Sequence, residues 1–368
     1  MILTCDTSLL SSCVQHAQKA VSSRNTLPVL EGVFLQASGE KLTVTGFDME
    51  IGITKEIPCA CKEEGKLVLN ARMFGEMIKN LDVPTVTIEN TDSFVVKISG
   101  GKTEYTMLGL DANDYPVLPV FETEREVELP QYLLKHMIRQ TIFSVGQNEN
   151  KPIQTGILFE IKDGVLSMVS CDGCRIAVCK EKVEMDKDIK IIIPGRTMNE
   201  LARMLSDEEE EKITVCAGKK HVCFTFGSCK MISRLLEGNF IDYNAAVPKN
   251  ENTVVRVKTK DLMRSIDRTS LILTERTKSS VRFVMENNMI RTDCQTGLGH
   301  ATDEIVADVQ GERVKIGFNA KFISDALRAY EADEVILKLS GSLNPLRILP
   351  VEGDSFLYLV MPVRMKED

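Results

Sequence analysis

The sequence predicts an α+β protein made of three copies of one fold, each with two helices and mainly antiparallel strands. Three observations predict it: strings that match at a nearly constant offset along the chain, turn signals between short apolar runs, and two amphipathic helical stretches in every copy.

The offset comes first. Gly32 and Gly156, and Asp48 and Asp172, are each 124 positions apart, and the same shift lays Val33-Phe34-Leu35 over Ile157-Leu158-Phe159. It also pairs Leu69 with Ile193, Leu81 with Leu205, Arg72 with Arg196 and Lys79 with Arg203. A third copy follows with small loop differences: Tyr115 matches Tyr243, Pro119 matches Pro248, and Arg196 matches Lys321. The copies divide the chain into 1-126, 127-252 and 253-368. At about 120 residues each is much longer than a solenoid repeat, so each is expected to carry its own core.

Within a copy the order of elements repeats. A short strand (Val127-Glu128-Leu129, or Val254 to Val257) leads into a helix. Two strands follow, as in Gly156 to Ile161 and Val165 to Ser170, with Asp163-Gly164 as the turn between them. Another strand (Leu67-Val68-Leu69, Ile191-Ile192-Ile193, Val314-Lys315-Ile316) precedes the second helix, and two or three more close the copy.

The helices carry the functional signal. Leu133, Leu134, Met137 and Ile138 form an apolar stripe, with Lys135 and Arg139 four residues apart on the other side. In the third copy Leu262, Met263 and Ile266 repeat the stripe, and Arg264 and Arg268 repeat the basic pair. The second helices place Arg72 with Lys79, Arg196 with Arg203, and Lys321 with Arg328 seven residues apart, on one face two turns apart. The first helix of the first copy offers only Lys19, with Arg24 just beyond it. Any soluble helix carries Lys and Arg on its wet face, and Glu76, Glu200, Asp267 and Asp325 are available as ordinary partners. Aligned basic pairs on five helices of a chain with net charge −8 point instead to a surface that meets DNA phosphates, which give affinity without reading sequence. Six helices closed side by side at about 9 Å would leave an opening of only about 7 Å, and twelve would leave about 24 Å. Two chains are needed to surround a duplex.

Composition excludes several classes. The chain is 43% hydrophobic and 27% charged, as an ordinary globular protein is. Its longest apolar runs fall far short of the roughly 20 residues that cross a bilayer, so no membrane partner is expected. Leu10-Ser11-Ser12-Cys13 looks like a lipoprotein cleavage box, but no Lys or Arg precedes it and Asp6 interrupts the apolar stretch. Eleven scattered Cys fit a reducing cytoplasm better than a disulfide framework. Cys171-Asp172-Gly173-Cys174 is a C-x-x-C, but no second ligand pair accompanies it, and Cys179 and His221 are unpatterned. His16, His136, His221 and His300 form no recognisable triad, and no phosphate-binding loop is present. No catalytic residue, metal or cofactor is expected. The rival reading is a cytosolic thiol or metal-dependent enzyme on repeated α+β domains.

Several strings resemble the bacterial sliding clamp family, the β subunit of DNA polymerase III. They are Asn25-Thr26-Leu27-Pro28-Val29-Leu30, Thr45-Gly46-Phe47-Asp48-Met49-Glu50, Phe240-Ile241-Asp242-Tyr243, Val281-Arg282-Phe283, Gly317-Phe318-Asn319 and Val360-Met361-Pro362-Val363-Arg364-Met365. The resemblance covers the whole chain. It implies the DNA-clamp fold, with sheets outside and two helices per copy lining a ring that closes by head-to-tail dimerisation. The implied function is a non-catalytic processivity factor that encircles double-stranded DNA. Its partners are the DNA polymerase III catalytic subunit, the clamp loader and other proteins with a clamp-binding motif. By position, Tyr105 and Met107 should meet the partner's Ile272 and Leu273.

The resemblance also implies a groove on the second and third copies for a Gln- and Leu-containing peptide. From the second copy it should take Gln154, Cys171, Gly173, Arg175, Ile176 and Ile241. From the third it should take Asn319, Phe322, Leu343, Pro345, Val360, Met361, Pro362 and Arg364. Cys174 stands where the family commonly has His, and Ala245-Ala246 where it often has Arg.

Overall fold

The computed structural model describes residues 1–22, 27–90, 94–120, 122–185, 188–273 and 280–364. They form two compact units, one of residues 1–132 with 203–235 and the other of residues 133–202 with 236–368. The dividing line runs through the middle copy, and the hydrogen bonding explains why. In the first unit, strand Ile51–Glu63 of copy one pairs with strand Cys229–Arg234 of copy two, Met231 opposite Ile53. In the second, strand Arg175–Lys182 of copy two pairs with strand Phe356–Val360 of copy three, Arg175 opposite Val360. Each half of the middle copy is thus stitched by backbone hydrogen bonds to a different neighbour.

The first unit holds a connected sheet of twelve strands; the second holds one of nine and one of four. The ladders that join copies and the hairpins within them are alike antiparallel. The expected turn at Asp163-Gly164 joins strands Gly156–Lys162 and Val165–Cys171, and both turn residues have positive φ, as a tight right-twisted hairpin demands.

Among the described residues are six α-helices: α1 Thr7–Gln18, α2 Ala71–Lys79, α3 Gln131–Thr141, α4 Gly195–Ala202, α5 Thr259–Ser270 and α6 Ala320–Ala329. Their starts follow from local chemistry. Asp6 caps α1 by accepting from the Ser8 and Leu9 N–H groups, Asn70 caps α2 through Met73, and Asn319 caps α6 through Lys321. Leu10, Cys13, Val14 and Ala17 are the buried stripe of α1, which lies against α2; Leu262 and Ile266 are the stripe of α5, which lies against α6. Each buried Leu or Ile of such a stripe contributes roughly 1.5–3 kcal/mol, which is what holds helices to sheet.

Candidate peptide groove and helix faces

The groove is built on a turn. After strand Val165–Cys171 the chain reverses through Asp172 and Gly173, whose φ of 91° suits glycine. Asp172 Oδ1 accepts from the N–H groups of Cys174 at 2.9 Å and Arg175 at 3.0 Å. Its other oxygen accepts from Arg175 Nε at 2.9 Å, and Arg175 Nη1 reaches Asp325 of α6 at 2.8 Å. The guanidinium also lies 4.4 Å from the ring centre of Phe322 and 5.4 Å from that of Phe143. A cation only 8% exposed is tolerable because two carboxylates and two ring faces replace its water. Arg175 thereby clamps α6, and with it Phe322, to the end of strand Arg175–Lys182.

The C-terminal segment is laid against the same turn. Val360 lies opposite Arg175, Met361 N–H donates to Cys174 O at 2.8 Å, and Val363 N–H donates to Gly317 O at 2.8 Å. Met361 is 46% exposed and Leu343 77%, an unusual exposure for side chains that share a concave surface. Both line a cleft of about 900 Å³ with Pro362, Val363, Arg364, Ser342, Arg282, Lys315, Ile316 and Gly317.

The structure brings Gly173, Arg175, Phe322, Val360 and Met361 together around the turn, and Leu343, Met361, Pro362 and Arg364 together in the cleft, with Met361 common to both. Gln154 stands beside Gly173, its amide 3.8 Å from where a Cβ on that glycine would be. Cys171, Ile176 and Val360 are a correction to the expected surface. They are buried, and Cys171 and Ile176 pack with Leu158, Val178 and Leu359 under a rim that includes Phe240, Tyr243 and Val247. They lie beneath the candidate groove and do not line it. Asn319 serves as the cap of α6, Pro345 is half-buried beside the cleft loop, and Ile241 is exposed on the segment after Phe240.

Sequence reasoning gave Phe143, Arg282 and Lys315 no place in the candidate groove and took Asp325 only as an ordinary partner for the helix cations, whereas it pairs with Arg175. Arg282 was within reach of such reasoning, since alternation with Val281 and Phe283 turns its side chain off the core.

The basic positions divide. Arg72, Lys79, Arg139, Arg196, Arg264, Arg268, Lys321 and Arg328 are exposed on their helices. Arg203 is exposed too, but α4 ends at Ala202, so it stands one residue past the helix. Lys135 is a correction: it is only 8% exposed, one turn on from the buried Gln131, on a flank of α3 that the structure covers. Arg24 lies outside the described residues. Ordinary pairing is seen at Arg268, which pairs with Asp303, and at Arg328, which pairs with Asp267 at 3.5 Å. Such exposed pairs are worth about 0–1 kcal/mol and exchange readily for phosphate.

Strand Thr103–Leu108 ends its sheet, leaving one backbone edge unpaired by the described residues. Its expected contact side chains turn inward: Met107 is 6% exposed, Tyr105 packs on the same core, and the exposed apolar residue of the strand is Leu108 at 73%. Ile272 and Leu273 follow α5 and pack half-buried on the core of the second unit. Strand Gly299–Val306 is likewise the edge of its four-stranded sheet.

The thiols point away from catalysis. Burial pushes the Cys171 thiol upward, the wrong direction for a thiolate nucleophile, and Cys174 of the same C-x-x-C is exposed on the turn.

Residues 1–119 match the N-terminal domain of the DNA polymerase III beta subunit, residues 128–242 its central domain and residues 244–364 its C-terminal domain. The chain belongs to the DNA polymerase III beta subunit family. It is similar to the beta sliding clamp of Halalkalibacterium halodurans, 34% identical over 95% of this chain and 96% of the relative. It is also similar to that of Bacillus subtilis, 33% identical over 96% and 97%. The crystal structure of the Bacillus subtilis DNA polymerase sliding clamp superposes with a TM-score of 0.96 over all of both chains at 32% identity. A putative beta subunit from Eubacterium rectale does so at 0.95 over 99% of this chain and all of the other, also at 32% identity. The fold is therefore three beta-clamp domains in an α+β architecture. The family is one of processivity subunits, and the thiol- or metal-enzyme alternative finds no support among these relatives.

Proposed function

We propose that this chain is a DNA sliding clamp that encircles duplex DNA as a head-to-tail homodimer and tethers its partners to it. The succession of three beta-subunit domains along the whole length carries the reading. We place the domains at 1-126, 127-252 and 253-368. The edge strands Thr103–Leu108 and Gly299–Val306 offer unpaired backbone that a second copy would satisfy, extending the sheets across two interfaces. Pairing there would put Leu108, Tyr105 and Met107 near Ile272 and Leu273 of the partner subunit.

The exposed cations of the helices would meet phosphates weakly and interchangeably, as sliding requires. Arg72, Lys79, Arg139, Arg196, Arg264, Arg268, Lys321 and Arg328 are those positions, with Arg203 one residue past its helix, and Arg24, outside the described residues, would join them. The groove at Arg175, Phe322, Leu343 and Met361 would accept the apolar anchors of the DNA polymerase III catalytic subunit, the clamp loader and other motif-bearing proteins. The protein works in the cytoplasm, where its free cysteines are stable. No helix among the described residues is long and apolar enough to cross a membrane.

Retention on DNA tests the central claim. Protein assembled by a clamp loader on nicked circular DNA should stay through gel filtration at salt that abolishes ordinary phosphate binding, and should be lost once the circle is cut. Equal retention on circular and linear DNA would mean contact binding and would sink the encirclement reading.

A further inference from the structure

The cleft beside the groove has a charge that its apolar residues do not need. Arg282, Lys315 and Arg364 line it with Leu343 and Met361, and no Asp or Glu is among its described lining residues. The chain as a whole has 53 acidic and 45 basic residues, yet three of the ten described lining residues are basic and none is acidic. The cations are held in place by backbone structure. Arg282 lies opposite Gly317 in an antiparallel pair, and Lys315 is two residues before Gly317, so the two side chains share one face as diagonal neighbours. Gly317 O accepts from Val363 N–H at 2.8 Å, which brings Arg364 to the same place. Asp293 lies 4.0 Å from Arg282 and offsets part of its charge.

We infer that this cleft selects partner segments that carry acidic residues next to their apolar anchors. The inference rests on the groove proposed above and adds a preference to it. A peptide whose Leu or Phe enters beside Met361 has its flanking residues within reach of the three cations. Carboxylates there are attracted without being fully desolvated, so they speed encounter and bias selection more than they raise total affinity. Because Lys315 and Arg364 are exposed, salt screens the effect over a distance of about 10 Å at moderate ionic strength.

The test uses the full-length protein and fluorescent synthetic peptides with Gln and Leu anchors. Each is extended on its N- or C-terminal side by two Asp, two Asn or two Lys, and read by fluorescence anisotropy. On one side the Asp peptide should bind about three- to tenfold tighter than the Asn peptide at low salt, and the advantage should vanish at high salt. Lys315→Glu should remove the advantage, so that the Asp peptide binds no tighter than the Asn peptide to the same variant. Binding of all peptides with no preference on either side overturns the inference and leaves the groove standing. No binding of the Asn peptide overturns both. Displacement of the Asp peptide by a short DNA duplex as effectively as by unlabelled peptide would assign these cations to phosphate and overturn the inference.

Discussion

Two turns of this molecule share a backbone and differ in everything their side chains do. In the first copy Asp48 Oδ1 accepts from the N–H groups of Glu50 at 3.0 Å and Ile51 at 2.8 Å, and Met49 has a φ of 76°. In the second, Asp172, Gly173, Cys174 and Arg175 repeat the pattern position for position, with a φ of 91° at Gly173. Both turns start a strand that joins a neighbouring copy: Ile51 lies opposite Ser233, Arg175 opposite Val360. Ile51 is buried, and the next residue, Gly52, lets Leu118 of the same chain settle so close that a Cβ would meet its Cδ2 at 2.4 Å. Arg175 instead gathers two carboxylates and two rings and leaves Met361 uncovered. The repeat supplies a place to dock. Whether the place is closed by the chain itself or left for a partner depends on a few side chains.

The largest effect expected from breaking this comparison is at Arg175. Arg175→Met keeps an apolar stem like that of Ile51 but strands Asp172 and Asp325. The fold should lose about 3 kcal/mol, the low end for a broken buried pair because both carboxylates retain some water. Binding of a Gln-Leu peptide should fall tenfold or more as Phe322 loses its clamp. Urea titration and anisotropy measure the two; unchanged peptide affinity would remove Arg175 from the groove.

A smaller effect separates the two aspartates. Asp48→Ala and Asp172→Ala each free two backbone N–H groups and should each cost about 1–2 kcal/mol. Only Asp172→Ala should also weaken the peptide, because only Asp172 holds the guanidinium. Equal peptide loss in both variants would show that the effect is general destabilisation.

The smallest effect concerns the residue with positive φ. Met49→Gly should stabilise the protein by about 1 kcal/mol or a little less, since a left-handed conformation strains a side chain with a Cβ. Gly173→Ala should destabilise it by a similar amount, its Cβ meeting only ordinary contact at 3.8 Å from Gln154. Chemical denaturation of the pair measures both, and a loss of stability in Met49→Gly would mean that the Met49 side chain does more than its exposure suggests.

Much of this was readable from residues near one another in sequence. The offset between Asp48 and Asp172 announced two like turns, Asp163-Gly164 announced a hairpin, and the spacing of Leu262 and Ile266 announced a helix with a buried stripe. Local backbone preference and the period of the apolar residues decide such features. Resemblance to the clamp family named Gly173, Arg175, Phe322, Leu343, Met361, Pro362 and Arg364, which the structure brings together. It gave Arg282 and Lys315 no place in the proposed groove, because only the folded chain brings them to the cleft.

Other facts had no local signal. Lys135 looks like Arg139 in sequence, yet one is covered and the other exposed, because the surroundings of α3 and not its own period decide which flank meets water. Met107 and Tyr105 alternate as strand residues do, but which face of an edge strand is the core depends on the sheet beneath it. The pairing of Arg175 with Val360, and of Ile51 with Ser233, joins residues more than a hundred positions apart. The sequence by itself determined three like copies, their helices and their turns, because those follow from neighbours along the chain. The tertiary structure alone decided which turn was closed by Leu118 and which was left open beside Met361, because that choice is made by side chains that meet only after the chain has folded.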